Sequence, residues 1–164
     1  DSNFGSANKH FFSKVNISNN NIFRIRGEEK PEIEATNYTE LLKTKTETIK
    51  NIPSLDLCLL GIGGDGHTAS IFPHELKKLS DKSDCVVGIN PDSGQKRVSL
   101  SIKQINNSKE VIFHVCGSGK KDVVDMIISK RENYLDLPAS HILPKSKNLS
   151  WYLDFDSAET FMGT

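Results

Sequence analysis

Residues 56–73 read DLCLLGIGGDGHTASIFP, an apolar run that breaks into four glycines and stops at Pro73. The run Leu55 to Ile62 is short and ends at glycine, the pattern of a fully buried, parallel strand. Gly61, Gly63, Gly64 and Gly66 then form a loop. In open α/β sheets ligands bind at the carboxyl ends of the strands. Glycines there allow close backbone approach and positive φ. Asp65 and His67 stand two residues apart at that mouth, before a short predicted helix from His67 to Phe72. A histidine so placed can exchange protons near neutral pH.

On either side of this segment, strand-like and helix-like stretches alternate. Upstream, Ser2 to Phe12 reads as a helix with Ser2 as N-cap and Phe4, Ala7 and Phe11 on one face. Asn19-Asn20-Asn21 marks a turn, Ile22 to Arg26 a short strand, and Pro31 opens a helix running to about Lys50. Downstream, Cys85 to Ile89 and Arg97 to Ile102 flank a Pro91-Asp92-Ser93-Gly94 turn. Val111 to Cys116 is a further buried strand. A helix follows from about Lys120 to Ser129, with Val123, Val124, Ile127 and Ile128 inward. Ser150 to Asp154 is the last strand. The alternation predicts one α/β domain over residues 1–164, with an open, mainly parallel, doubly wound sheet.

Composition narrows the function classes. Lys plus Arg and Asp plus Glu both number 21, so the formal charge is zero. This rules out a strong basic footprint of the kind expected of a nucleic-acid binder and argues against attraction to an anionic membrane surface. No apolar run approaches the ~20 residues of a membrane span, and the first residues lack a signal-peptide layout. The three cysteines Cys58, Cys85 and Cys116 form no CxxC pair. They read as reduced thiols in a cytoplasmic chain without a disulfide framework or a cysteine zinc site.

Generic motifs are poor fits to this loop. Gly61 to Gly66 matches G-x-G-x-x-G, but Pro73 cuts the following helix short, and Asp84 precedes the next strand where a dinucleotide site needs an acid ending it. Gly119-Lys120 suggests a phosphate loop, yet His114 and Lys121 occupy the positions of its first glycine and its hydroxyl residue. No G-x-S-x-G elbow is present. Asp65 and His67 have no further ligand at metal-site spacing. His10, His74, His114 and His141 read as packing or surface residues.

The string GIGGDGHTASIFP resembles the signature of the 6-phosphogluconolactonase family, G-x-G-x-D-G-H-T-A-S-L-F-P. The resemblance extends in order over nearly the whole chain. SNFGSANKHFFSKVNI is similar to the family's S-N-Y segment. GQKRVSLSIKQINNSKEVIFHVCGSGK is similar to its R-[VI]-[ST]-L-[ST] strand and strand-Gly-Lys turn, and LPASHILPKSKNLSWYLD to its L-P-A-S…W-[FY]-L-D ending. Related glucosamine-6-phosphate deaminases share the G-x-G-x-x-G-H entry but continue I-A-F-N-E-P, unlike Thr68-Ala69-Ser70-Ile71-Phe72-Pro73 here. Two features depart from the family pattern. Its members carry early strands, a phosphate loop and an acidic-Arg segment ahead of the S-N-Y stretch, so the domain is expected to be incomplete at its N-terminus. In many lactonases S-P-K-P-P precedes the R-[VI]-[ST]-L strand; here the stretch is Asn90 to Arg97, with Asp92 at the lysine position.

The resemblance implies hydrolysis of 6-phospho-D-glucono-1,5-lactone in the oxidative pentose phosphate pathway, without metal or cofactor. His67 is the implied general base; Asp65 is placed beside it in the catalytic pair, to orient His67, contact a sugar hydroxyl or stabilise the turn. Gly63, Gly64 and Gly66 are implied to meet the substrate through the backbone, and Arg97 and Lys96 to hold its phosphate. The expected partner is a small sugar-phosphate lactone, and a fused or associated glucose-6-phosphate dehydrogenase is compatible with the family. The alternatives are a deaminase/isomerase acting on an amino-sugar phosphate, and a non-catalytic truncated module. Residues 1–164 alone are expected to be poorly soluble and inactive, because an apolar strand becomes an open edge.

Overall fold

A computed structural model describes residues 2–162. Its elements are α1 (Asn3–His10), α2 (Pro31–Lys45), β1 (Glu47–Ile49), β2 (Ile52–Ser54), β3 (Leu57–Leu60), β4 (Cys85–Ile89), β5 (Lys96–Leu100), α3 (Ile102–Ile105), β6 (Glu110–Val115), α4 (Lys121–Ile128) and β7 (Leu149–Leu153). The organising sheet is parallel, in the order β3-β6-β7. Two antiparallel hairpins, β1-β2 and β4-β5, complete the strands.

Strand registry explains the core. Cys58 sits opposite Val111, and Leu60 opposite Phe113, which in turn faces Trp151. The Phe113 and Trp151 rings stack at 4.2 Å. Onto this face pack Val123, Val124 and Ile127 of α4 and Ile102 and Ile105 of α3. The other face carries Leu57, Leu59 and Tyr152, which are 46 %, 66 % and 59 % exposed. The expectation of a fully buried β3 is therefore corrected: burial alternates along it. Leu57 and Leu59 point to a side that no described residue covers.

Three local expectations also change. Residues 22–26 belong to no sheet. Side chains from α2 take their backbone groups instead. The Arg26 N–H donates to Glu34 at 2.8 Å, and the Tyr38 hydroxyl donates to the Phe23 carbonyl at 2.9 Å. Glu34, 2 % exposed, is held in addition by the Arg26 guanidinium at 3.1 Å. Such pairing is what allows a carboxylate to be buried.

Helix α2 ends at Lys45, not near Lys50. Pro31 occupies its first turn, with Glu32 and Glu34 there and Lys43 and Lys45 at its end, all suited to the helix dipole. Beyond it, β-branched Thr46, Thr48 and Ile49 favour a strand. Lys50 and Asn51, at φ +54° and +62°, make the two-residue turn into β2.

Residues 67–72 form no helix. Ala69 adopts φ +51°, Thr68 and Ile71 pair as an isolated bridge, and a 3-10 run begins only at Pro73. The buried Thr68 hydroxyl donates to the Gly61 carbonyl at 2.9 Å, which folds the segment back on its own loop.

Candidate active site

The loop after β3 closes on itself. The Gly63 N–H donates to the His67 carbonyl at 2.8 Å, and the Gly66 N–H to the Gly63 carbonyl at 3.0 Å. Asp65 Oδ1 lies 2.6 Å from His67 Nδ1 and also accepts the His67 backbone N–H at 3.1 Å. Glycine is required at two points. A Cβ on Gly63 would fall 2.0 Å from His67 Nδ1 and 2.4 Å from Asp65 Oδ1. Gly66 has φ +82°, and a Cβ there would strike Leu137 at 2.8 Å.

Burial works against ionising Asp65, but the hydrogen bonds from the His67 backbone and ring outweigh it and hold its carboxyl below the usual range. An ionised carboxylate only accepts. In the neutral imidazole Nδ1 therefore carries the proton, and the free lone pair lies on Nε2. His67 is half-buried, its ring 4.7 Å from that of the buried Phe72. The imidazole is thus oriented on two sides.

The glycines divide by role. Gly63 and Gly66 spend their N–H groups inside the loop, so they build the site and do not offer donors to a ligand. The Gly64 N–H meets no protein acceptor among the described residues, and Gly64 is exposed.

The loop after β6 approaches from the side: a Cβ on Gly64 would lie 3.6 Å from the Gly119 carbonyl. Gly117 holds φ +96° there. Its N–H donates to both carboxylate oxygens of Asp154, at 3.1 and 2.8 Å, and the Ser157 N–H donates to the same group. Hydrogen bonds from Ser157 and Gly117 keep the Asp154 carboxyl below its usual range. In the sequence Asp154 ends the last strand and closes the W-[FY]-L-D resemblance, with no site role attached to it.

Arg97 and Lys96 lie on the β4-β5 hairpin and line a separate cavity of about 810 Å³. Arg24, Arg26, Tyr38 and Ser70 contribute to its wall. Ser70 belongs to the segment that follows His67, so the two regions adjoin. Three of the four cations are already paired with carboxylates. Arg24 holds Glu28 at 2.5 Å, Arg26 holds Glu34 and Glu29, and Lys96 Nζ lies 2.6 Å from Glu32. The hydrogen bond from Arg24 lowers the Glu28 carboxyl to about 2. Arg97 contacts only the neutral Gln95 side chain, at 3.2 Å, and no carboxylate among the described residues. Lys96, expected beside Arg97 as a phosphate ligand, pairs with Glu32 of α2 at an exposed surface.

Among the described residues no group of three or more His, Cys, Asp or Glu side chains converges to hold a metal ion, and no helix is long and apolar enough to cross a membrane.

A glycine-built loop at the carboxyl edge of a parallel sheet, holding an oriented imidazole, thus adjoins a cavity whose Arg97 has no carboxylate partner among the described residues, and ligands of α/β sheets bind at such edges. Comparison with known proteins carries this further. The family described as glucosamine-6-phosphate isomerases/6-phosphogluconolactonase matches residues 1–151. A 6-phosphogluconolactonase of Treponema pallidum is 38 % identical over 128 residues, covering 78 % of this chain and 53 % of that protein. One from Aggregatibacter actinomycetemcomitans is 35 % identical over 159 residues, 97 % of this chain and 66 % of that protein. A human GDH/6PGL endoplasmic bifunctional protein is 30 % identical over 96 % of this chain and 20 % of its own length. The crystal structure of a devB protein superposes with a TM-score of 0.91 at 39 % identity, covering 97 % of this chain and 66 % of that one. The chain belongs to the glucosamine-6-phosphate isomerase/6-phosphogluconolactonase family. It spans about half to two thirds of the length of the first two of these relatives.

Proposed function

We propose that this chain carries the hydrolytic centre of a 6-phosphogluconolactonase, which opens 6-phospho-D-glucono-1,5-lactone to 6-phospho-D-gluconate in the oxidative pentose phosphate pathway. The observation that carries the reading is the commitment of His67 Nδ1 to Asp65, which leaves Nε2 as the base. Water gives a proton to Nε2 as its oxygen attacks the lactone carbonyl. The negative charge then develops on the carbonyl oxygen, where the free Gly64 N–H is the candidate donor. Collapse of the tetrahedral intermediate breaks the bond to the ring oxygen, which takes the proton back from Nε2. No cofactor enters this sequence of steps. Arg97, the cavity's cation without a carboxylate partner among the described residues, is assigned to the phosphate.

The names of the relatives support the lactonase reading over an amino-sugar deaminase, as does the Thr68 to Pro73 string. Supplying each substrate in turn separates the two: acid release above the spontaneous rate supports the lactonase, and ammonia release from glucosamine 6-phosphate overturns it. Association with a glucose-6-phosphate dehydrogenase belongs to the same reading, supported by the bifunctional human relative. So does a cytoplasmic setting, supported by three cysteines that form no bridge.

Two variants test the parts. Arg97→Ala is expected to raise KM for the phosphorylated lactone about 10- to 100-fold, the loss of a charge-assisted hydrogen bond. It should leave unphosphorylated gluconolactone nearly unaffected; equal losses on both substrates would remove Arg97 from the phosphate site. Asp65→Asn is expected to lower kcat at least ~10-fold. The effect should stay below the ~10⁴-fold typical of a buried triad carboxylate, because the Asp65 side chain is 44 % exposed. The same carboxylate predicts a pH dependence. Its pKa is depressed, so its hold on His67 is complete above the ordinary carboxylate range of about 4 and is lost as pH falls through the depressed value. An acid titration of the ring signals followed by NMR should show this step in the parent and not in Asp65→Asn.

A further inference from the structure

We propose that Gly88 and Ser99 are positioning residues that set the span between His67 and Arg97, and so tune the enzyme to a lactone phosphorylated at its far end. The proposal rests on the roles assigned above to those two side chains.

His67 and Arg97 stand on different parts of the fold, and the seat of Ser70 on Gly88 and Ser99 joins the His67 segment to the hairpin. In the β4-β5 register Gly88 lies directly opposite Arg97. Ser99 is two residues further along β5 and buried. Ser70, three residues after His67, is seated on this pair. Its N–H donates to Ser99 Oγ at 3.0 Å, while Ser99 Oγ donates to the Leu100 carbonyl at 2.9 Å. The Ser99 hydroxyl is therefore fixed as an acceptor for Ser70. On the neighbouring strand, a Cβ built on Gly88 would lie 1.8 Å from the Ser70 carbonyl oxygen and 3.0 Å from its carbon. Only a residue without a side chain lets the two backbones meet, and the contact is backbone on backbone, so it cannot give way cheaply.

The His67 end of the same segment is held elsewhere. The Gly63 N–H and the Thr68 hydroxyl tie it to the loop leaving β3. The left-handed turn at Ala69, φ +51°, then directs Ser70 toward the hairpin. The segment is thus a strut. One end carries the imidazole and is anchored to the parallel sheet; the other is anchored to the hairpin that carries Arg97. A ligand gripped at both ends senses the length of that strut, whereas a ligand gripped at one end does not.

The test compares kcat/KM for 6-phosphogluconolactone and for unphosphorylated gluconolactone in the complete enzyme, with inorganic phosphate as a competing anion. Ser99→Ala removes the acceptor, and Gly88→Ala forces Ser70 away from β4. Misplacement by about an ångström costs up to ~10²-fold. Each variant should lower the ratio of the two kcat/KM values at least ~10-fold, mainly through KM of the phosphorylated lactone. Inhibition by inorganic phosphate, which meets only the Arg97 end, should be unchanged. Ser99→Thr keeps the acceptor and should restore the ratio; it decides the matter with Ser99→Ala if Gly88→Ala does not fold. Parallel loss on both substrates would reduce the contact to general support of the loop and overturn the proposal, as would an unchanged ratio. A parent enzyme with no preference for the phosphorylated lactone would instead overturn the role given to Arg97, and the span with it.

Discussion

Replacing His67 by Asn is expected to lower kcat for the lactone at least ~10²-fold, the low end for loss of a general base. An asparagine amide can still meet Asp65 through a hydrogen bond, so the loop should keep its shape. It has no basic nitrogen, so water would have to attack without giving up its proton to the protein. KM should change little, because Arg97, to which the phosphate is assigned, lies on the β4-β5 hairpin, away from the loop that carries His67. The unphosphorylated lactone should lose kcat in parallel, since both substrates share the same carbonyl chemistry. That parallel loss distinguishes His67 from Arg97, whose removal discriminates between the two. Steady-state rates corrected for spontaneous hydrolysis give the answer. A variant within a few-fold of the parent would remove His67 from the chemical step.

The features of this site most open to reading from sequence are those enforced by local chemistry. An apolar run ending in glycines at residues 57–66 can hardly be anything other than a strand feeding a tight loop. Asp65 and His67, two residues apart, can meet only if that loop turns sharply. The twofold need for glycine, at Gly63 for close approach and at Gly66 for positive φ, follows from the same turn. Non-local pairing is harder to read. Residues 22–26 alternate like a strand, but their partners are side chains of α2. Lys96 and Arg97 are adjacent and look equivalent. Only the placement of Glu32 some sixty residues earlier shows that one is paired and the other is not. Ser99 reads as one more polar residue in an alternating strand, and nothing in its neighbours announces contact with Ser70. The segment 67–72 misleads for a physical reason: its composition suits a helix turn, and the Thr68 hydroxyl and the Ala69 turn outcompete that turn locally.

The 164-residue polypeptide, expressed by itself, is expected to self-associate through β3. This strand is an edge of the parallel sheet, with β6 on one side and no described strand on the other. Parallel sheets are ordinarily covered on both faces. Here one face is packed by α3 and α4, while Leu57, Leu59 and Tyr152 stand exposed on the other. On the same face, Ile112 of β6 is in register with Leu59 and Ser150, and His114 with Tyr152, so this face runs across all three strands. An apolar face next to unpaired backbone groups is a template for another chain. Leu59→Lys should suppress the association. It places a charge in the middle of the edge, and at 66 % exposure Leu59 gives little to the core, so the melting temperature should fall only slightly. Supplying, as a separate chain, the part of a related 6-phosphogluconolactonase that this sequence does not match should act in the same direction by covering the row. Sedimentation velocity reads both effects. A parent polypeptide that stays monomeric at high concentration, with the same sedimentation as Leu59→Lys, would show that the exposed row carries no tendency to pair.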